Sequence, residues 1–293
     1  IQCNITQANQ FVYNGNMIDF NVTPKNLLLG VLQASENRAI PIAVLTQLGE
    51  LFGFSSNVMR VNVTRMLSSN TLEKDERGYY RLLKQENLVS RIVDSWHLGE
   101  QRRTSWDSSW FMCLLPDKRK ITEGKAAHRA FSYMGFQRSS KTLWVRPNNL
   151  HIDKNQCINN LRQLGVDQAS QLFIVTDAEP NVIDQWFHEL WPTKTLQTNY
   201  KQLLRTLQQS QQKLKKMPLD KAVAESFLTG SKVVNTLAID PLLPEEMMES
   251  THRERLTQAM IEYDVIGKKI WWDKFLELKF VEPLTPSHLN FLD

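Results

Sequence analysis

Phe54 to Arg81, FSSNVMRVNVTRMLSSNTLEKDERGYYR, is the stretch whose reading decides the fold. Its first half has the make-up of a short helix, rich in small polar residues and arginine. Its second half holds two strand-like runs that meet at Asp75-Glu76-Arg77-Gly78. A helix able to enter a groove, followed by a basic hairpin, is the outline of a winged helix-turn-helix.

Ser55 or Ser56 is suited to cap the helix. Its apolar positions Val58, Met59, Val63, Met66 and Leu67 are expected to pack inward. Asn57, Arg60 and Thr64 step by three and four along another face, with Arg65 beside them. Two readings of that face stay open: contact with base edges and phosphates, for which arginine, amide and hydroxyl groups are suited, or a solvated helix surface. In the hairpin, Lys74, Arg77 and Arg81 can meet phosphate, but Glu73, Asp75 and Glu76 are interleaved with them.

Working outward, Thr23-Pro24 starts a first helix, with threonine as cap and proline in the first turn. Ile40-Pro41-Ile42 is short and extended. A second helix covers Ala43 to Phe52 and stops at Gly53. Gln85 to Gly99 continues as a helix into a polar link, Glu100 to Ser105, where a domain boundary is placed. Beyond it, strand, helix, strand, a weak strand near Leu150, helix and strand follow one another up to Thr176. That order suggests a ferredoxin-like sandwich. From Pro180 the pattern is helical, and Trp271-Trp272 with Phe275 and Leu276 read as core. The fold class expected is therefore α+β: a winged helix over 23–100, a ferredoxin-like middle domain over 105–178 and an all-helical C-terminal domain over 179–293. Residues 1–22 form an N-terminal extension.

The totals set the frame. With 293 residues and 42% hydrophobic content the chain can fill more than one core. A net charge of +4 permits a nucleic-acid partner without demanding one. The three cysteines, Cys3, Cys113 and Cys157, form no metal-ligand or disulfide pattern. No run approaches the ~18 apolar residues of a membrane span, and residues 1–17 lack the pattern of a secretion signal, so a cytoplasmic protein is expected. Phosphate-cradling glycine patterns and nucleophile or zinc motifs are missing. No enzyme, cofactor or metal is expected. An alternative, a metal-dependent nuclease, would rest on one carboxylate, Asp117, at the end of the first middle-domain strand. Another is an adaptor whose winged helix binds protein.

Four separated blocks then add up to a family. They are Phe54-Ser55-Ser56 with Val58-Met59-Arg60 and Arg65-Met66-Leu67; Gly78-Tyr79-Tyr80-Arg81-Leu82; Trp106-Asp107 and Trp110 through Met134-Gly135-Phe136 to Leu143-Trp144-Val145-Arg146-Pro147; and Asp240-Pro241-Leu242-Leu243-Pro244. Their order and spacing resemble the PaaX-type transcriptional regulators, repressors of phenylacetic acid catabolism. Two features depart from the family: a usual glycine between helix and wing stands here as Asn70 or Thr71, and a Trp-Pro-Gly-like stretch as Ser250-Thr251-His252. The resemblance implies a homodimeric repressor on double-stranded operator DNA, released by an acyl-CoA effector such as phenylacetyl-CoA. The DNA-contacting set is then Ser55, Ser56, Asn57, Arg60, Thr64 and Arg65 on the helix, with Lys74, Arg77 and Arg81 on the wing. An acyl-CoA also needs basic neighbours. Arg102, Arg103, Lys118, Arg119 and Lys120 are candidates among which the sequence does not choose, and the ligand-binding residues stay unknown.

Overall fold

A computed structural model of the chain describes residues 22–35, 38–75, 78–83, 88–116 and 121–279, with only the backbone for 121–123. Thr23 opens helix α1, Pro24–Ala34, by accepting the Asn26 backbone N–H at 3.1 Å. Pro24 stands where a missing N–H costs nothing. Leu27, Leu28, Leu29, Val31 and Leu32 are all buried, so α1 is apolar almost all round. Strand β1, Ile40–Pro41, leads directly into α2, Ile42–Glu50, and Gly53 with φ 78° turns the chain after it. Helix α3 spans Ser56–Ser68 with Ser55 as its cap.

The end of α3 answers the first family departure. Thr71 N–H donates to Met66 C=O at 2.8 Å and Asn70 N–H to Leu67 C=O at 3.0 Å, with Asn70 at φ 52°. This is a left-handed helix stop that glycine usually fills and asparagine tolerates. Strands β2, Leu72–Lys74, and β3, Tyr79–Leu82, then pair antiparallel, and β1 adds to the other side of β3 for the order β1-β3-β2.

The fourth helix differs from expectation. Helix α4 covers Leu88–Asp94 and passes into a 3-10 helix, Ser95–Arg102. Gly99 breaks it at φ 49° and ψ −124°, where a side chain would meet Thr257 at 3.2 Å.

The middle segment runs β4 Trp110–Leu114, α5 Ile121–Tyr133, β5 Gln137–Arg138, β6 Leu143–Pro147, α6 Lys154–Gln163 and β7 Gln171–Val175. Its sheet is antiparallel in the order β5-β6-β4-β7. The weak extra strand lies before β6, not near Leu150. Gly135, at φ 70°, reverses the chain after α5, so Gln137 and Arg138 pair back onto Val145 and Trp144. Leu150 makes only an isolated bridge, to Arg103. One sheet face, with Phe111, Cys113 and Leu115, packs on Ala127, Ala130 and Phe131 of α5 and on Cys157 and Leu161 of α6.

Burial pushes the Cys113 and Cys157 thiols up to about 12, against the opposing pull of Arg162 and Arg146. Both stay protonated at mildly alkaline pH, and thiolate is the reactive form. A thiol-reagent titration is expected to leave them unmodified in the folded chain and to modify both in denaturant. Modification under native conditions at the rate of a peptide thiol would contradict this packing.

Helices α7 Pro180–His188, α8 Thr193–Leu214, α9 Leu219–Ala238 and α10 Thr251–Glu277 complete an α+β chain with two small sheets and a helical C-terminal region. Tyr200, Leu203 and Leu207 of α8 share a core with Val233, Val234 and Leu237 of α9 and with Leu256, Met260 and Tyr263 of α10. A second core joins α1, α2 and α3 to Val223 and Phe227 of α9 and to Trp271 and Phe275 of α10. There Gly30 lets α1 approach so closely that an added Cβ would lie 2.4 Å from Phe227 Cε2. Trp271 is thus core, as its sequence context suggested. Among the described residues no helix is long and apolar enough to cross a membrane.

Candidate functional site

Helix α3 has two faces with different chemistry. Met59, Val63 and Met66 are its buried set, a three-residue stripe facing α1 and α2. Asn57, Arg60, Thr64 and Arg65 are exposed on the opposite side. Val58 and Val61 are 39% and 41% exposed. This corrects the expectation for Val58: it lies one residue, about 100° of helix, off the buried stripe. It joins the open face together with Val61, which sequence reasoning did not single out.

Side chains on that face brace one another. Ser55 Oγ accepts the Val58 N–H at 3.4 Å, and Arg60 Nε donates to Ser56 Oγ at 3.4 Å. Thr64 and Ser68 hydroxyls donate to the carbonyls of Arg60 and Thr64, both at 3.1 Å. The open end of α3 carries no acidic residue in its first turn, and no Asp or Glu occurs from residue 51 to 72. The helix therefore presents two guanidinium groups, amides and hydroxyls with no carboxylate of its own to neutralise them.

The hairpin is arranged differently. Arg81 is ion-paired to Glu73 across the strands. Asp75 Oδ1 accepts the Tyr79 N–H at 2.9 Å and so closes the turn, which Gly78 completes at φ 80°. Lys74 is exposed. Arg77 lies outside the described residues. An exposed pair such as Arg81–Glu73 is worth at most about 1 kcal/mol, so Arg81 is held only lightly.

The arginines after Gly99 have another occupation. Arg102 donates to Gly99 C=O at 3.2 Å and Leu237 C=O at 3.1 Å. Arg103 donates to Leu243 C=O at 2.6 Å and pairs with Glu100 at 2.5 Å. Both guanidinium groups are thereby bonded to the protein's own backbone and carboxylates. Lys118, Arg119, Lys120 and Asp117 lie outside the described residues. His128 packs edge-on against Trp144, and burial pushes its pKa down.

What gathers at residues 240–244 is a polar crossing point. Arg146, 1% exposed, donates to the carbonyls of Pro147 at 2.9 Å, Met134 at 2.5 Å and Pro241 at 3.4 Å, and to Asn149 Oδ1 at 3.0 Å. Asn149 in turn donates to Leu242 C=O at 2.7 Å. Arg253, also 1% exposed, forks onto Glu100 at 2.5 and 2.9 Å and reaches Asp240 at 3.4 Å. Tyr200 donates its hydroxyl to Asp240 Oδ2 at 2.5 Å. Leu242 stands at φ 51°, and a Cβ on Gly135 would lie 3.0 Å from Pro241 Cα. Middle sheet, polar link and C-terminal helices are locked together here. Sequence reasoning named several of these residues as markers, among them Met134, Arg146, Asp240 and Pro241, but assigned the crossing point no role. Among the described residues no group of three or more His, Cys, Asp or Glu is placed to hold a metal ion.

Residues 191–263 match the family model of the PaaX-like protein C-terminal domain. The match runs from the start of α8 into α10 and contains Tyr200, Asp240 and Arg253. No curated protein matches the chain. Among solved structures the chain is similar to the uncharacterized protein Rv0674 from Mycobacterium tuberculosis, with a TM-score of 0.53 and 20% identity over 85% of this chain and 100% of that one. At that identity the likeness concerns the fold.

Proposed function

We propose that this chain, a PaaX-like protein by its C-terminal domain, is a DNA-binding transcriptional repressor. The observation that carries the reading is the open face of α3. It is a capped helix with Asn57, Arg60, Thr64 and Arg65 exposed and no carboxylate among residues 51–72, presented beside a paired hairpin. Three helices with a β1-β3-β2 sheet, β1 lying between α1 and α2, are the parts of a winged helix. In this reading α3 enters the major groove, Arg60 or Arg65 pairs with guanine, and the methyls of Val58 and Val61 meet thymine. Ser55 and Ser56 at the helix N-terminus face phosphate, and Lys74, Arg77 and Arg81 meet backbone from the wing. The β-α-β-β-α-β order with strand order β5-β6-β4-β7 supports a ferredoxin-like middle unit. Domain limits of 23–100, 105–178 and 179–293 and a cytoplasmic location belong to this reading. The resemblance to PaaX-type regulators adds a homodimer on a partly palindromic operator and release by an aryl-acyl-CoA such as phenylacetyl-CoA. The operon is one for an aromatic acid such as phenylacetate.

Arg60→Ala is expected to weaken operator binding by about 1–3 kcal/mol, roughly 5- to 150-fold, and to relax sequence preference at one position. Lys74→Ala is the contrast: a uniform loss on all sequences, with a salt slope shallower by about one. Fluorescence anisotropy across a salt series reads both. Unchanged affinity in both Arg60→Ala and Arg65→Ala would remove α3 as the reader. Retention of a protein but of no DNA segment would turn the Val58–Val61 face into a protein contact.

A further inference from the structure

Where the N-terminal helices rest on α10 there is a cavity of about 460 Å³, a volume within the range of small-ligand sites. Gln33 at the end of α1, Trp96 on the 3-10 helix, and Val265, Lys268, Trp271 and Trp272 on α10 contribute to its wall. Two properties separate it from a packing fault. Three indoles line one space, and the Arg38 guanidinium sits 4.7 Å over the Trp272 ring, fixing that indole from the N-terminal side. In addition, Gln33 Oε1, Trp271 Nε1 and Trp272 Nε1 are buried and have no hydrogen-bond partner among the described residues. Trp110, Trp144 and Trp191 also carry unpaired buried Nε1 atoms, so what marks this site is that two such indoles and Gln33 line one space. Here an occupant with acceptor oxygens would meet the two indole N–H groups, and one with an amide or hydroxyl donor would meet Gln33. At the mouth, Lys268 is exposed and pairs with the largely buried carboxylate of Asp264 at 2.8 Å (i,i+4). A negatively charged group outside the cavity can compete for it.

We propose that this cavity binds an aromatic acyl ligand. The ring lies among the indoles, its carbonyl or carboxylate oxygen accepts from the tryptophan N–H groups, and any anionic remainder leads out past Lys268. The proposal rests on the effector reading above and adds its place and its route. The wall is shared by α1 and α10, so a ligand that favours one seating of the N-terminal helices on α10 shifts the population that can meet DNA.

Val265 is 54% exposed, so Val265→Trp brings an extra ring to the cavity from a surface position. The test is calorimetric titration of the full chain with phenylacetate, phenylacetyl-CoA and coenzyme A. Wild-type protein is expected to bind the thioester, or both aromatic probes, more tightly than coenzyme A. Val265→Trp and Trp272→Ala are each expected to weaken that binding at least about tenfold. Val265→Trp should keep the wild-type melting profile. Binding of both aromatic probes assigns recognition to ring and oxygen; binding of the thioester alone assigns part of it to the nucleotide-bearing tail. Equal affinity in wild type and both variants, or no aromatic probe bound by wild type, overturns the proposal. Ligand binding lost in Val265→Trp by a chain that binds no DNA keeps the site and sinks the repressor reading. DNA release by phenylacetyl-CoA undiminished in Val265→Trp does the reverse.

Discussion

Arg253→Ala is expected to lower the unfolding free energy by about 3–5 kcal/mol, the cost of breaking a buried ion pair from one side. In a chain of this size that corresponds to a melting point lower by on the order of 10 °C. The guanidinium forks onto Glu100 and reaches Asp240, whose side chain is 1% exposed. Asp240 also accepts the Tyr200 hydroxyl and the Leu242 N–H, the latter at 2.8 Å. Removing Arg253 leaves those two neutral donors and the more distant Arg102 charge to face the Asp240 carboxylate. The physical cause is the stranded anion, so a second change should relieve it: Arg253→Met with Asp240→Asn is expected to recover a large part of the loss. Urea unfolding of Arg253→Met, Asp240→Asn and the double variant measures the coupling. A cost below about 1 kcal/mol for Arg253→Ala would mean that the pair behaves as a surface pair.

The comparison of sequence and structure divides along sequence separation. Helix α3 was legible because its information is local: Ser55 as cap, Met59, Val63 and Met66 at helical spacing, Asn57, Arg60 and Thr64 on the other side. The exposed Val58 escaped because a valine next to a buried stripe has the same composition whichever side of the boundary it falls. The helix end at Gly99 was read, but the 3-10 turn from Ser95 escaped, since one glycine does not announce it. The crossing point was invisible for a stronger reason. Arg253 meets Glu100 across 153 positions, and Arg146 meets Pro241 across 95. Nothing in the run Glu100 to Arg103 separates a solvated link from one whose arginines close buried carbonyls. The cavity on α10 combines residues from positions 33, 96 and 272 and carries no sequence pattern at all.

Arg146→Lys, a change that keeps the charge, is expected to cost about 3–5 kcal/mol, nearly as much as Arg146→Met. Arg146 is buried with four acceptors around it, three carbonyls and the Asn149 amide oxygen, which a planar guanidinium spans from one position. A lysine ammonium has three donors at a single point and cannot reach acceptors spread around a plane. It would leave at least one of the Met134, Pro147 and Pro241 carbonyls buried and unpaired. Burial already pushes the Arg146 pKa down to about 10, opposed only by a weak pull from Cys157. A lysine there starts from a lower intrinsic value and would be driven toward its neutral form, losing the charge it was meant to conserve. The loss should be local in a recognisable way. Asn149, released from Arg146, no longer holds Leu242 C=O in place, so the strained Leu242 at φ 51° is expected to relax. Amide exchange of the segment 240–244 and of the turn at Gly135 should rise together in Arg146→Lys, while the amides of α3 keep their protection. If exchange rises in α3 and not in 240–244, Arg146 acts through the shared core of α1, α9 and α10, and the crossing point does not bind the middle sheet to the C-terminal helices.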